Sequence, residues 1–361
     1  MLVRKIAVAA CLGLGLFTFS HLAQAQYQLT NLVSNQLNQH ATTTDPLLVN
    51  AWGIARSATS PFWVSDNLSG WSTLYTGAGT AEALRVLIPT AGNGPVEPTG
   101  NNGVGLPTGI VFNGSTTDFL VSGKSSSFIF ATLDGTISAW APGVNRNLSM
   151  LVVDKSATKA SYTGLAITSN PSGNFLYAAD NTNNHVDMFD GSFTLMQSFG
   201  DPSIPSTFSV FNVQDIGGMV YVTYAAIDGS AGGFVDIFTE NGVFVKTLIH
   251  GGPLNQPWGV TLAPSNFGPL SSTLLVGNNS TPGTINAFNP MTGKFVGTLR
   301  DQFGFPMLFV NLWGIEFGGG ATNNGAANQL FFASGPGLGA QAQLAGTFGS
   351  IVFNPLPHRG Y

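Results

Sequence analysis

Cysteine is almost absent from this chain. Of its 361 residues only Cys11 is a cysteine, and it lies in the N-terminal segment that we expect to be removed. The remaining chain therefore has no thiol with which to form a disulfide, a thiolate zinc site or a cysteine nucleophile. A stable fold must come from apolar packing and hydrogen bonding alone.

Charged residues are also scarce. They make up 8% of the chain, against about 25% in an average soluble protein. The 12 Lys and Arg residues form no basic cluster and face 17 Asp and Glu residues, which argues against nucleic acid as a partner. Glycine is abundant, with 46 residues, and this composition favours turns and β-structure over exposed helices.

Residues 1–25 have the pattern of a signal peptide. Arg4 and Lys5 precede an apolar stretch over residues 6–19, and Ala-Gln-Ala at 23–25 is typical of a cleavage site. The apolar stretch is shorter than the roughly 20 residues that span a bilayer, and no longer one follows. Without Arg4 and Lys5 the formal net charge is −7. We therefore expect a protein exported to the periplasm or beyond the cell, with no membrane span after cleavage.

A six-residue pattern recurs along the chain. It reads Gly-x-[Ile/Val]-x-[Ala/Met/Ile]-[Phe/Trp] at residues 135–140, 233–238 and 283–288, with Asn in place of Gly at 184–189 and a shorter copy at 349–353. The Ile or Val positions 137, 186, 235 and 285 lie 49, 49 and 50 residues apart. Such a period is typical of a propeller or a solenoid.

Each repeat contains four predicted strands, and the six-residue pattern marks the third. The second is an apolar run, at residues 62–67, 119–123, 176–181, 220–224, 274–278 and 330–335. The first has a Gly-[Ile/Leu/Val] pair, at Gly53, Gly109, Gly164, Gly259 and Gly314, while the repeat near residues 212–216 lacks the glycine. Innermost propeller strands crowd around the axis, where a residue without Cβ permits close approach.

The fourth strand is present in only five repeats, at residues 83–89, 149–154, 195–199, 244–249 and 295–299. Residues 27–33 form a spare strand at the other end of the chain, and we expect it to complete the last blade and close the ring. The prediction is an all-β, six-bladed β-propeller with four antiparallel strands per blade, formed by residues 26–361 as one domain. Seven blades, an open solenoid or two β-sandwiches are the alternatives. No WD dipeptide recurs, which weakens a WD40 assignment.

Polar and aromatic residues stand at the start of three first strands. They are Asn50, Trp52, Asn255, Trp258, Asn311 and Trp313. Asn offers a donor and an acceptor, and Trp offers an apolar face with one N–H. Clustered where the central channel opens, they would form a rim that binds a small molecule, a glycan or a protein. The alternative is that Trp packs between blades and Asn caps tight turns.

A second candidate site lies at the ends of second strands. Its residues are Asp66, Asn67, Asp180, Asn181, Asn278 and, beside the last of these, Asn279. Carboxylate and amide oxygens converging on a channel would hold Ca²⁺, which could polarise an ester carbonyl as in six-bladed lactonases. The alternative is turn formation by Asx side chains. Residues 180–187 fail the EF-hand pattern and indicate a hairpin turn.

Motifs for nucleophilic or zinc hydrolysis are missing. The chain has no Gly-x-Ser-x-Gly and no His-Glu-x-x-His sequence. His40, His185, His250 and His358 are widely separated, so no local zinc pair exists. Catalytic residues are therefore not assigned, although His185 or His250 could act as a base across blades.

Several segments together resemble an uncharacterised family of exported bacterial propellers. They are residues 48–54, 105–109, 127–140, 254–259, 274–278 and 311–315. That family is similar in fold to NHL-type and TolB-type six-bladed propellers. The resemblance implies fold and export but no activity. The chain lacks the sorting tail of many relatives, and its glycine-rich segment 335–346 lacks the acidic and histidine residues expected there.

Three functions are compatible with these patterns. The first is a monomeric, non-enzymatic binding scaffold at the funnel face. The second is a Ca²⁺-dependent lactonase or esterase with its site in the central channel. The third is a structural role in an envelope or matrix, which the low charge would suit.

Overall fold

The computed structural model describes residues 26–92, 104–170, 173–335 and 344–354. The predicted signal peptide, residues 1–25, lies outside the described residues, as do the C-terminal residues 355–361. Within the described ranges, no helix has the length and hydropathy needed to cross a membrane.

The chain forms six antiparallel four-stranded blades around one axis, which confirms the predicted fold. The strands nearest the axis, one per blade in chain order, are β3 (Ala51–Ala55), β7 (Pro107–Phe112), β13 (Tyr162–Asn170), β17 (Phe208–Asp215), β21 (Pro257–Leu262) and β25 (Leu312–Phe317). Second strands are β4 (Phe62–Asp66), β10 (Phe128–Thr132), β14 (Gly173–Asp180), β18 (Met219–Ala226), β22 (Leu274–Asn278) and β26 (Leu330–Ser334).

The third and fourth strands lie progressively further from the axis. Third strands are β5 (Trp71–Tyr75), β11 (Thr136–Trp140), β15 (His185–Phe189), β19 (Phe234–Thr239), β23 (Ile285–Phe288) and β27 (Thr347–Asn354). Fourth strands are β6 (Val86–Leu87), β12 (Met150–Asp154), β16 (Leu195–Phe199), β20 (Phe244–His250), β24 (Phe295–Thr298) and β1 (Gln26–Ser34).

The N-terminal strand closes the ring, as predicted. β1 runs antiparallel to β27, with Tyr27 opposite Phe353 and Leu29 opposite Ile351. The short strand β2 (Thr43–Thr44) adds to its outer edge in parallel. The first and last segments of the described chain therefore share one sheet, so the ring has no open end between the first and last blades.

Several short elements lie outside the four-stranded blades. β8 (Leu120–Val121) and β9 (Lys124–Ser125) pair as a small hairpin in the second blade. Three 3₁₀ turns lie at Leu37–Gln39, Ser156–Thr158 and Gly268–Leu270.

Glycines at the axis permit the close packing of the innermost strands, as predicted. A Cβ on Gly53 would collide with the carbonyl of Thr108 in the next blade, and one on Gly314 would meet the carbonyl of Trp52. The fourth blade has Asn212 at this position, and its side chain fills the space beside Gly164. Each innermost strand thus contacts the next around the whole ring.

Alternating apolar side chains fill the spaces between neighbouring blades. One cluster joins the last blade to the first through Phe331, Phe348 and Phe62. Phe62 and Phe331 have ring centroids 4.3 Å apart. The hydrophobic core is therefore a ring of apolar layers that lie between neighbouring blades, and the first strands surround the axis.

One strand prediction was wrong, and one copy of the motif was misaligned. The second strand of the second blade is β10, whereas residues 119–123 belong to the small β8–β9 hairpin, with Phe119 and Ser122 at positive φ. In the last blade, Gly349 pairs with Phe332 where Asn286 pairs with Val276 in the fifth. The copy of the pattern in the last blade is therefore residues 346–351, three residues before the predicted copy, although residues 349–353 do lie on the third strand β27.

Candidate functional site

Three tryptophans meet on the axis at the end where the first strands begin. Trp52 and Trp313 stack with ring centroids 3.5 Å apart. Trp258 stands edge-on to both, at 6.5 Å and 5.8 Å. Their exposed fractions are only 5–7%. We call these three residues the tryptophan cluster.

Contacts from other blades complete this end of the tunnel. Trp258 Nε1 donates to the carbonyl of Thr163 at 3.0 Å, linking the fifth and third blades across the axis. Leu133 and Phe211 pack against the cluster from the second and fourth blades. The tunnel is therefore filled here by side chains. The indole N–H groups of Trp52 and Trp313 are buried without a hydrogen-bond partner among the described residues.

The three predicted asparagines precede the tryptophans by two or three residues and lie in the turns that lead into the first strands. Asn50 and Asn311 adopt positive φ values of 53° and 49°, as turn residues do. Asn50 Nδ2 donates to Asn67 Oδ1 at 3.1 Å. The backbone N–H of Asn255 donates to Asn278 Oδ1 at 3.0 Å, while Asn255 Oδ1 is buried without a partner in the described structure. The structure thus brings the six predicted rim residues to one end, and their role in ligand binding stays a prediction.

Three amides at the ends of alternate second strands bind the next blade. Asn67 Nδ2 donates to Pro107 O at 3.1 Å and Asn181 Nδ2 to Val210 O at 2.7 Å. Asn279 Nδ2 donates to Leu312 O at 2.8 Å. Each accepting carbonyl stands two residues before the axial Gly or Asn of the following blade, so the three amides clamp successive blades together.

The other predicted metal ligands also have local partners. Asp66 accepts the backbone N–H of Thr73 at 3.1 Å, and burial raises the pKa of its carboxyl well above the usual value. Asn278 Nδ2 donates to Pro253 O at 2.8 Å. Asp66, Asp180 and Asn278 belong to the first, third and fifth blades, so their oxygens serve separate turns. The metal role of this set stays a prediction.

One tight group of titratable residues forms within the β14–β15 hairpin. His185 Nε2 lies 3.1 Å from Asp187 Oδ1 and 3.8 Å from Asp180 Oδ2. Ligand atoms of the three residues all lie within 4.8 Å of one another. Tyr162 also donates to Asp187, at 2.7 Å. The bond to Asp187 is the main cause of the raised pKa of His185.

A cavity occupies the axis at the opposite end of the tunnel. Its volume is about 420 Å³. All six first strands contribute to its wall, through residues 54–56, 110–112, 167, 214–215, 260–262 and 315–317. We call this cavity the axial pocket. A much smaller space of about 30 Å³, lined by Gly53, Gly314 and Asn212, lies between it and the tryptophan cluster.

Charged groups stand on the wall of the axial pocket. Arg56 Nε donates to Phe317 O at 2.8 Å and lies 3.5 Å from Glu316 Oε1. Glu316 is partly buried at the axis, and this burial raises the pKa of its carboxyl to about 8 against the opposing charge of Arg56. This pair joins the first blade to the last at the mouth of the pocket.

Asp215 links the axial pocket to a second cavity. This second cavity, which we call the side cleft, has a volume of about 560 Å³ and is lined by residues 112–117, 167–169, 174 and 215. Phe112, Ile167 and Asp215 line both cavities. Burial and the nearby Glu240 raise the pKa of Asp215 to about 6.

The pocket residues Arg56, Asp215 and Glu316 were not predicted from the sequence. Each stands two or three positions after the axial Gly or Asn of its blade, at Gly53, Asn212 or Gly314. First strands run in the same direction around the ring, so these positions meet at one mouth. This common distance from the axial Gly or Asn is the sequence feature from which the three pocket residues could have been predicted.

The fold and the axial site define a six-bladed β-propeller, and solved structures agree. Kuenenia stuttgartiensis hydrazine synthase superposes with a TM-score of 0.52 and 13% identity, covering 79% of this chain and 74% of that one. A streptogramin B lyase structure superposes with a TM-score of 0.51 and 13% identity, covering 91% and 98%. At such identities the similarity establishes the fold alone.

Sequence comparison places the chain in a family. It is 30% identical over 331 residues to the uncharacterised protein R648 of Acanthamoeba polyphaga mimivirus, covering 86% of this chain and 78% of R648. The chain belongs to the same family as R648. The uncharacterised protein R640 of that virus is 37% identical over 203 residues, which span 52% of this chain but only 37% of R640. No protein-family profile matches the chain. These viral relatives do not support the expected bacterial origin.

Proposed function

We propose that this propeller is an exported binding protein that holds a small polar molecule in the axial pocket without transforming it. The main support is the pocket itself: 420 Å³ on the axis, built by all six blades. Ligand sites are typically concave, of 300–1,000 Å³, and combine an apolar wall with a few polar groups. Arg56, Asp215 and Glu316 supply those polar groups among Ile54, Ile110 and other apolar neighbours.

The two ends of the tunnel differ in a way that favours this pocket over the predicted rim. At the tryptophan cluster, side chains occupy the axis and are almost fully buried. At the axial pocket, space remains and Gln214 is exposed on the wall. The signal-peptide pattern of residues 1–25 supports the export part of the proposal.

A thermal-shift screen tests this function. A ligand that binds only the folded protein raises its melting temperature. We expect at least one compound from a millimolar panel of neutral sugars, amino sugars, polyamines and dicarboxylates to do so. Gln214→Trp should abolish the shift by filling the pocket. Gln28→Trp, on the exposed face of β1, is the matched control and should retain it. No shift with any compound, or a shift that survives Gln214→Trp, would contradict the proposal.

Metal-dependent hydrolysis is the second candidate, and the Asp180–His185–Asp187 group is the observation that favours it. An imidazole with two carboxylates suits Zn²⁺ or Mn²⁺ better than Ca²⁺, which takes six to eight oxygens. Melting curves with EDTA, Ca²⁺, Mn²⁺ and Zn²⁺ distinguish these possibilities. A rise with one metal that disappears in His185→Asn would support a metal function. Superimposable curves would reject it.

A further inference from the structure

The axial pocket and the side cleft adjoin each other, and we call the two together the recess. They share the lining residues Phe112, Ile167 and Asp215, which lie at their junction. Their volumes of about 420 Å³ and 560 Å³ together exceed what a single small ring compound would fill. A ligand that uses the whole recess is elongated, and it passes Asp215 at the junction.

Asp215 stands at that junction without a charged partner. Its Oδ1 atom is buried and has no hydrogen-bond partner among the described residues. Of the residues that line either cavity, Arg56 is the only basic one, and it already contacts Glu316 and the carbonyl of Phe317. Glu240 adds a second negative charge near Asp215. The Asp215 carboxylate is thus poorly solvated, and no basic side chain that lines the recess pairs with it.

Uncharged polar groups line the rest of the side cleft. Thr116, Thr117 and Ser169 are exposed there, beside the half-buried Asn174. Hydroxyl and amide groups of this kind form hydrogen bonds with a polar chain without selecting for charge. Selection for charge within the side cleft therefore falls to Asp215. Arg56, the one basic residue lining the recess, already donates through Nε to Phe317 O and through Nη1 to Ser57 O.

We infer that the ligand of this recess is an elongated polar molecule bearing protonated primary amines, one of which pairs with the Asp215 carboxylate. The inference rests on the proposed binding function and specifies its ligand class. Two sources share this chemistry, aliphatic polyamines and glucosamine oligomers. A charge-assisted hydrogen bond to a partly buried carboxylate gives a strong preference for the amine over a neutral analogue.

Isothermal titration with paired probes tests the inference. Spermidine is compared with triethylene glycol, and glucosamine trimer with its N-acetylated form. At least one amine should bind about tenfold more tightly than its neutral partner. The member that binds identifies the source as aliphatic polyamine or amino sugar. Equal affinities within both pairs, or no binding of either amine, would overturn the inference.

Amino-acid substitutions distinguish a failure of the proposed ligand class from a failure of the proposed binding pocket. Asp215→Asn should remove most of the preference for the amine, and Asp215→Glu should restore part of it. Asp228→Asn removes the same charge from an exposed loop of the opposite face and should bind as the wild type does. A preference that persists in Asp215→Asn would overturn the inference. If a neutral probe binds and Gln214→Trp blocks it, the binding function stands without the amine. Binding unaffected by Gln214→Trp would overturn the binding function as well.

Discussion

Trp52 and Trp313 stack with ring planes inclined by 15° and centroids 3.5 Å apart, and together with Trp258 they occupy the axis. Of these three residues, only Trp258 donates a hydrogen bond from its indole N–H within the described structure, and the acceptor is Thr163 O. The three tryptophans share one environment, but only one of them forms this hydrogen bond. Substitutions here can therefore distinguish the contribution of packing to stability from that of hydrogen bonding.

Tryptophan substitutions should reveal this difference. Trp313→Phe removes packing together with a buried N–H that has no partner in the described structure, whereas Trp258→Phe leaves the Thr163 carbonyl without its donor. We expect both proteins to fold, with Trp258→Phe less stable than Trp313→Phe by about 1 kcal/mol. Urea unfolding followed by circular dichroism measures the difference. Equal losses would show that the hydrogen bond contributes nothing to stability.

The amide clamps make a second prediction. Asn279→Asp keeps the shape of the side chain but replaces the donor to Leu312 O by an oxygen. We expect a loss of about 1–2 kcal/mol, since a buried carbonyl is left unpaired. Asn147→Asp, at an exposed loop position, is the control and should change stability little. If the predicted Ca²⁺ site were formed here, Ca²⁺ would instead stabilise Asn279→Asp, so a calcium titration separates the two accounts.

Tyr27 fastens the closing strand to the fifth blade. Its hydroxyl donates to Phe267 O at 2.6 Å and accepts the N–H of Leu270 at 3.2 Å, and burial raises its pKa to about 12. Tyr27→Phe should therefore cost about 1–2 kcal/mol of unfolding free energy, whereas Gln28→Ala, exposed on the same strand, should not. Deleting β1 entirely should lower the melting temperature far more. A deletion protein as stable as the wild type would contradict closure by this strand.

Buried carboxyls predict an unusual dependence of stability on pH. Burial raises the pKa of Asp236 to about 7, and nearby Asp201 adds to the effect. Both Asp236 oxygens are buried without hydrogen-bond partners in the described residues. A carboxyl that holds its proton more tightly in the fold than in the unfolded chain favours folding at low pH. That contribution is lost as the pH rises from about 4 through 7. Glu316, with a pKa of about 8, acts in the same direction.

Urea unfolding at several pH values checks this sign. The free energy of unfolding should be greater at pH 5.5 than at pH 8. Asp236→Asn should raise the value at pH 8 by about 1 kcal/mol and flatten the profile. Asp228→Asn, fully exposed, should leave the profile as it is. A wild-type protein that is more stable at pH 8 would show that Asp236 is ionised at little cost.

Local sequence patterns were enough to predict the blades, because corresponding strands of different blades bury apolar residues at the same repeated positions. The spare strand at residues 27–33 could be assigned to the last blade since the sixth repeat lacked a fourth strand. The error at residues 119–123 arose because a short apolar run there resembles a strand, while the longer run of β10 fills that position. The tryptophans could be placed at one end of the channel but not inside it, since burial depends on how side chains from several blades meet.

The axial pocket could not be predicted from motifs. Arg56, Asp215 and Glu316 are 101 or more residues apart in sequence and share only their distance from an axial Gly or Asn. The raised pKa of Asp215 depends first on burial and then on Glu240, which comes from a different strand connection of the blade. Such electrostatic interactions can be predicted only when the alignment of the strands in the assembled sheets is known.

A crystal structure with the best-binding amine probe tests the central claim most directly. The account predicts ligand density in the axial pocket, continuing towards the side cleft, with an ammonium group at hydrogen-bond distance from Asp215 and the tryptophan cluster unchanged. Density at the tryptophan end, or between Asp180 and His185 on the β14–β15 hairpin, with an empty axial pocket would contradict it.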